Sequence, residues 1–298
     1  MYQVYFKDFF ERFSYPEEAC SALEDAFGKI MHNESVYQRF LELIQCYEND
    51  INCDFKYIRA RIKEVSSEAG VQEYVGNTVL IICLSKTLLK YYLAAGYDEE
   101  FWYTTMYDLK WKIEECKEMY NVWGVFAPEW YDRFFKLDRF CFGKLQFELN
   151  NFNKVYEKNG VLLKPESPVL NVHIPRTGGK LDRESMLNAY RQASEFFKDK
   201  FGVNPIVFVC KSWLLYPRNK EVLSEKSNLY AFISDYDVIW QEEYEDYSQA
   251  WRLFSVPYDG NVDHLPQNTS LRRAYAEWIR KGEKMGWGYG VYIYKEET

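Results

Sequence analysis

The chain has 298 residues, 47% hydrophobic and 28% charged, which is the balance of a folded protein and excludes disorder as its main state. A net charge of −8 argues against nucleic acid or an anionic membrane as the main ligand and leaves room only for a local basic site. At this length a single hydrophobic core gives way to two domains.

Aromatic residues make up 19% of the chain, with 26 Tyr and 21 Phe, which favours large cores and a ring-lined cleft. The seven cysteines (20, 46, 53, 83, 116, 141 and 210) are scattered and form no CxxC pair, and the three histidines lie far apart. Free thiols in a reducing cytoplasm and no metal site are expected. Lys7, Asp8, Glu11 and Arg12 interrupt the first segment, so it reads as no signal peptide. The longest apolar run, Val79–Cys83, is far too short to span a bilayer.

Residues 1–136 read as helices almost throughout. Pro16 opens a helix with Ala19, Leu23, Phe27 and Ile30 on one face, and Val36, Phe40, Leu41 and Ile44 repeat that spacing. Helical patterns follow over 55–65, 71–96 and 98–120, with a short one at 128–137. Gly28, Gly70, Gly96 and Asn49-Asp50 fall where helices are expected to end. The segment Val79–Leu89 is apolar nearly all round and predicts the central helix of a bundle.

Composition changes near residue 139, and residues 137–298 read as the second domain. RFCFGKLQFELN and FNKVYEK predict two strands turning at Asn150-Asn151, and 159–168 reads as a polar turn. Then come a strand over Pro168–His173, a glycine-bearing loop, and a helix with Met186, Tyr190, Ala193 and Phe197 on one face. Asp182 is its natural N-cap and Gly202 its stop, and Ile206–Cys210 begins the next strand. Such a unit closes with its two strands parallel. The tracts 229–243 and 249–256 are strand candidates. Asn268-Thr269-Ser270 caps a helix with Leu271, Ala274, Tyr275 and Trp278 inward, and GWGYGVYIY closes the chain as a strand.

The phrases HIPRTGG (173–179), VCKSWLLYP (209–217), SNLYAFISDYDV (227–238), LPQNTSLRRA (265–274), GKLQFEL (143–149) and WGVFAPEW (123–130) resemble a bacterial family of GNAT-like acyltransferases. The likeness covers roughly Trp102 to Tyr289. It implies an α+β chain, with an all-helical N-terminal domain followed by a GNAT-like mixed α/β domain of the acyl-CoA N-acyltransferase fold. In such enzymes acyl-CoA lies in a splay between two strands, its pyrophosphate on a Q/R-x-x-G-x-G/A loop. Arg176 and Gly179 match the first and fourth places, while Leu181 stands where Gly or Ala is expected. The implied co-substrate is acetyl-CoA or another acyl-CoA, and the implied acceptor a small-molecule amine or a peptide. The alternative is a non-catalytic member that binds a ligand or protein and has lost CoA, favoured by Leu181 and by the negative charge of Asp182.

Arg176, Thr177, Gly178, Gly179 and Lys180 suit a phosphate held by backbone N–H groups and cations, or else a strand-to-helix turn that needs glycine. The backbone of Pro168–His173, with Val172 and Ile174, is the expected partner of the pantetheine amides. His173 suits proton abstraction from an amine, or simply holds the loop. Cys210 continues an apolar run and reads as a buried inert thiol. Ser212 is a candidate hydrogen-bonding group, Trp213 a wall of the acceptor site, and Tyr216 the implied acid for the CoA thiolate. Asn228, Asp235 and Asp237 fall in one strand candidate. Period-two alternation puts the two aspartates on one face, for a cationic amine or for solvent. Arg272, Arg273, Arg280, Lys281 and Lys284 make a basic surface, either for the 3′-phosphate or for solvent.

Overall fold

The computed structural model describes residues 2–176 and 181–294. The chain divides into two compact units, Met1–Arg139 and Phe140–Thr298.

The first unit is helical: α1 (Tyr2–Phe13), α2 (Glu17–His32), α3 (Glu34–Asn49), α4 (Phe55–Glu68), α5 (Glu73–Ala94), α6 (Glu99–Met106), α7 (Asp108–Tyr120) and α8 (Asp132–Phe135). Phe6, Phe9, Phe10 and Phe13 recur at helical spacing on α1 and are all buried. Helix α2 runs through Gly28 instead of ending there, because the apolar face continues to Ile30. Glycine concedes about 1 kcal/mol to alanine in a helix. Burying Ile30, which is 0% exposed, returns roughly 1.5–3 kcal/mol and outweighs it. Gly70 and Gly96 do follow helix ends, with φ of +64° and +81°. Residues 98–120 form two helices, with Asp108 buried at the start of the second and accepting from the Tyr131 hydroxyl at 3.1 Å. Helix α5 is buried around its whole circumference, so it is the core of the bundle. No helix among the described residues is long and apolar enough to cross a membrane.

Strand β1 (Arg139–Phe142) begins at the boundary, and the second unit continues with β2 (Leu145–Asn151), β3 (Tyr156–Lys158), β4 (Val161–Leu163), β5 (Pro168–His173), α9 (Arg183–Phe201) and β6 (Val207–Ser212). They are followed by α10 (Asn219–Val222), α11 (Asn228–Asp235), β7 (Asp237–Glu243), α12 (Trp251–Phe254), α13 (Ser270–Arg280) and β8 (Gly286–Ile293). Six strands form one sheet in the order β1-β2-β5-β6-β8-β7, while β3 and β4 form a separate hairpin.

Three expectations change here. The turn of the first hairpin lies at Gly143-Lys144, where Gly143 has φ +57°, and not at Asn150-Asn151. Tyr156–Lys158 pairs with Val161–Leu163 across Asn159-Gly160, whose φ values of +52° and +78° suit the tight hairpin turn that an Asn-Gly pair favours. Residues 228–235 are helix, because Leu229, Phe232, Ile233 and Tyr236 follow a helical spacing and Ser227 caps the Tyr230 N–H at 3.1 Å. In 249–256 the buried residues Ala250, Leu253 and Phe254 likewise fall at helical spacing, and α12 forms there.

Helix α9 begins and ends as its sequence signals require. Asp182 accepts from the Ser185 N–H at 2.8 Å, and Gly202 takes a left-handed φ of +64°. Thr269 caps α13 through the Arg272 N–H at 3.1 Å. On α13 Tyr275, Ala276 and Ile279 are buried, while Leu271, Ala274 and Trp278 are half-buried.

Candidate functional site

The sheet of the second unit has two faces, read from its register. Gln146 and Glu148 of β2, Asn171 and His173 of β5, Val209 and Lys211 of β6, and Tyr289 and Val291 of β8 share one face. Phe147, Val172, Phe208, Cys210 and Tyr292 share the other. There they meet Tyr190 of α9, whose ring lies 4.7 Å from that of Phe208 and 5.1 Å from that of Tyr292. At the amino-terminal end of β5 the first face is closed by Phe152, Tyr156 and Leu163 packed on Val169, Val207, Val209 and Val291.

The carboxyl end of this face differs. Strands β5 and β6 are parallel and pair at Leu170–Phe208 and Asn171–Val209. Beyond that point each stays with its outer neighbour: β5 pairs with β2 as far as His173, and β6 with β8 as far as Ser212. Among the described residues their mutual ladder extends no further. The carboxyl ends of parallel strands are where open α/β sheets bind ligands, so the end of this ladder is the candidate site.

A polar group stands beside the end of that ladder. Glu148 is 6% exposed and lies directly across from Asn171, whose side-chain amide donates to Glu148 Oε1 at 3.0 Å. His173 Nε2 lies 3.1 Å from the same carboxylate oxygen and 3.1 Å from Asn171 Nδ2. A carboxylate facing an imidazole nitrogen favours a proton on that nitrogen and stabilises the imidazolium that forms when the ring accepts a second one. No neighbour along the chain marks this partner of His173. Glu148 lies 25 residues upstream within GKLQFEL, and only strand pairing brings it near.

The remaining candidates are dispersed. Thr177, Gly178, Gly179 and Lys180 lie outside the described residues; Arg176 before them is exposed, and Leu181 after them is half-buried. Val172 is buried on the α9 face, and Ile174 is half-buried just past β5. Ser212 Oγ accepts from the Leu214 N–H at 3.2 Å, which caps the turn Trp213–Leu215. Trp213 packs edge-on to Tyr275 at 6.2 Å within the cluster that includes Phe254 and Ile279. Tyr216 is buried and donates to Glu243 Oε1 at 2.9 Å; burial first, and that carboxylate second, push its hydroxyl pKa above the usual phenol range.

Asn228, Asp235 and Asp237 do not share a strand face. Asn228 opens α11 and Asp235 ends it, while Asp237 starts β7. Asp235 forms an ion pair with Arg183, and its carboxyl is raised by burial against the opposing pull of that guanidinium. Asp237 accepts from Lys158 at 2.9 Å and from the Tyr156 hydroxyl at 3.1 Å. Both aspartates are thus engaged within the fold. Cys210 is 1% exposed, and burial pushes its thiol up to about 12, so it holds no thiolate near neutrality. On the basic helix, Arg272 donates to the Leu253 carbonyl, and Arg280 pairs with Asp263 and Glu277.

Comparison with known proteins follows the same division. Residues 5–137 match the N-acyltransferase N-terminal domain, and residues 140–292 match the GNAT-like C-terminal domain. Among solved structures, an acyltransferase in complex with decanoyl-CoA is 19% identical, with a TM-score of 0.75 over 97% of this chain and 87% of that one. An acyltransferase mutant with octanoyl-CoA is 18% identical, with a TM-score of 0.74 over 97% and 87% of the two chains. An acyltransferase with decanoyl-CoA and teicoplanin is 18% identical, with a TM-score of 0.72 over 96% and 86%. At these identities the likeness is one of fold. No protein of curated function matches the chain. By its two matched domains, the chain belongs to the family that joins an N-acyltransferase N-terminal domain to a GNAT-like C-terminal domain.

Proposed function

We propose that the protein is a CoA-dependent N-acyltransferase that moves an acyl group from acyl-CoA to an amine by direct attack. The observation that carries this reading is the end of the β5–β6 ladder at Asn171 and Val209, with His173 and Glu148 beside it. The solved relatives with decanoyl-CoA and octanoyl-CoA support it and suggest a long acyl chain. The complex with teicoplanin supports a small-molecule acceptor.

The ladder's end suits the co-substrate. Beyond the end of their ladder, the backbone edges of β5 toward His173 and of β6 toward Ser212 are the candidates to pair with the pantetheine amides. The segment from Arg176 to Asp182 leads into α9, which packs on the face opposite His173. Arg176 and Thr177–Lys180 are the candidates to hold the phosphates there, with the thioester toward His173. Acyl-CoA supplies the activated carbonyl; the chain supplies orientation and the base. The incoming nitrogen bonds to the thioester carbon, and His173 takes the proton that nitrogen sheds, its imidazolium stabilised by Glu148. The C–S bond then breaks, and the imidazolium proton is the one available to the departing thiolate. Asn171 keeps the Glu148 carboxylate aimed at the ring.

All seven cysteines are free thiols, which supports a reducing, cytoplasmic setting. Calorimetry with decanoyl-CoA and acetyl-CoA, followed by a thiol-release assay with amines, tests the function. Binding heat and amine-dependent CoA release are expected. No heat and no thermal shift at about millimolar acyl-CoA, an affinity of only ~4 kcal/mol, would leave the non-catalytic alternative standing.

A further inference from the structure

We propose that Lys211 and Trp287 form a seat for a carboxylate on the acceptor, so that the amine this protein acylates is one that also carries an acid group. The proposal rests on the acyltransferase reading and adds the substrate class.

Register places Lys211 in the same row as His173. Asn171 faces Val209, and two residues further along each strand stand His173 and Lys211, on one face and on opposite sides of the ladder's end. One side therefore bears a carboxylate and an imidazole, and the other an ammonium. Lys211 is exposed, and its Nζ lies 3.8 Å from the centre of the Trp287 ring, over the indole face. Lys211 has no ion pair among the described residues. Several other cations of this unit are paired: Lys158 with Asp237, Arg183 with Asp235, Arg218 with Glu283, Arg280 with Asp263.

The direction in which Lys211 leans chooses between possible anions. Trp287 belongs to β8, on the side of β6 away from β5. The ammonium is therefore drawn toward β8 and away from β5. That displacement suits a charged group carried by the acceptor better than the oxyanion forming on the thioester carbon. It also sets Lys211 on the face opposite α9, away from the phosphates of the co-substrate. An ammonium presents three donors around a point charge, which suits a carboxylate held by charge-assisted hydrogen bonds. The indole supplies a flat apolar wall beside it.

The test uses the full chain, decanoyl-CoA, and three amines of one shape: L-phenylalanine, L-phenylalaninamide and phenethylamine. The quantity read is the ratio of kcat/KM for the acid to that for its amide, in the wild type, Lys211→Met and Lys211→Arg. The ratio should fall about tenfold in Lys211→Met, the size of a lost charge-assisted hydrogen bond, and recover in Lys211→Arg. The thermal shift given by decanoyl-CoA should be unchanged in both variants. An unchanged ratio in Lys211→Met overturns the proposal and leaves the acyltransferase reading intact. Loss of the decanoyl-CoA shift in Lys211→Met alone also overturns it, since Lys211 would then serve the co-substrate. No shift in the wild type removes the acyltransferase reading and this proposal with it.

Discussion

Glu148 Oε1 lies 3.1 Å from His173 Nε2, and the two residues are diagonal neighbours on adjacent antiparallel strands. Glu148 is opposite Asn171, and His173 is opposite Gln146, so the contact crosses the pairing by one step of the pleat. A buried carboxylate would otherwise lose several kcal/mol on desolvation. The hydrogen bond from Asn171 and contact with the imidazole offset that loss, and they also fix where the ring points.

His173→Ala should lower kcat by about 10²–10⁴-fold, the usual contribution of a positioned general base. Acyl-CoA affinity should change little, because binding is assigned to the strand backbone and the loop. Glu148→Gln keeps the volume and removes the charge, and a loss on the order of 10²-fold in kcat is expected. Stopped-flow thiol release measures both. Wild-type turnover in Glu148→Gln would make the carboxylate structural.

Tyr216→Phe separates two roles for that hydroxyl. Its hydrogen is given to Glu243 at 2.9 Å, and Glu243 is exposed at the end of β7. We expect a stability loss of about 1 kcal/mol, the ordinary worth of one hydrogen bond, and kcat within about twofold of wild type. A loss of tenfold or more in kcat, with unchanged folding by circular dichroism, would return Tyr216 to the role of acid for the thiolate.

Gly288→Ala tests how closely the turn Trp213–Leu215 lies on the sheet. A Cβ at Gly288 would sit 2.2 Å from the Leu215 carbonyl oxygen, and one at Gly286 would sit 2.8 Å from the Tyr216 ring. Backbone must shift to make room, so a loss of about 1–3 kcal/mol is expected. Calorimetry should show a melting temperature lower by roughly 2–4 °C per kcal/mol. An unchanged melting temperature would mean that the turn is not in contact with β8.

The Cys210 thiol predicts a slope at alkaline pH. Burial holds its pKa near 12, whereas an unfolded cysteine titrates near 8.5. Between those values the unfolded chain sheds the proton while the native chain keeps it. Stability therefore falls as pH rises through that window, by about 1.4 kcal/mol per pH unit from this group. Urea melts at pH 9 and pH 11 should show a smaller decline in Cys210→Ala than in the wild type. Equal declines would show that the thiol is not held protonated. Turnover should persist in Cys210→Ala, since no thiolate is required of it.

Much of the architecture was legible because it rests on local signals. Asp182 and Gly202 bound α9 since a cap side chain and a left-handed stop act within a few residues. The unbroken apolar run at Val79–Cys83 marked α5 as central, because a helix without a polar face has to be buried all round. Asn159-Gly160 is equally local, and as one of the strongest hairpin signals it turns the chain within the tract that reads as a polar turn. The tract 229–236 misled because its aromatic and branched residues suit strands by type, whereas their spacing is that of a helix.

The site itself was legible only in part. His173 was named from its place at the end of a strand, and Arg176 from the residues before a glycine pair. Glu148, Asn171 and Lys211 carried no local mark, for their meaning depends on which strand lies beside which. Sequence by itself determined where the chain coils, extends and turns, because backbone preference and side-chain period are properties of neighbours along the chain. The tertiary structure alone decided that the β5–β6 ladder ends at Asn171 and that a glutamate from β2 meets a histidine from β5. Register is a relation between distant segments, set by the whole buried face at once, and no short stretch contains it.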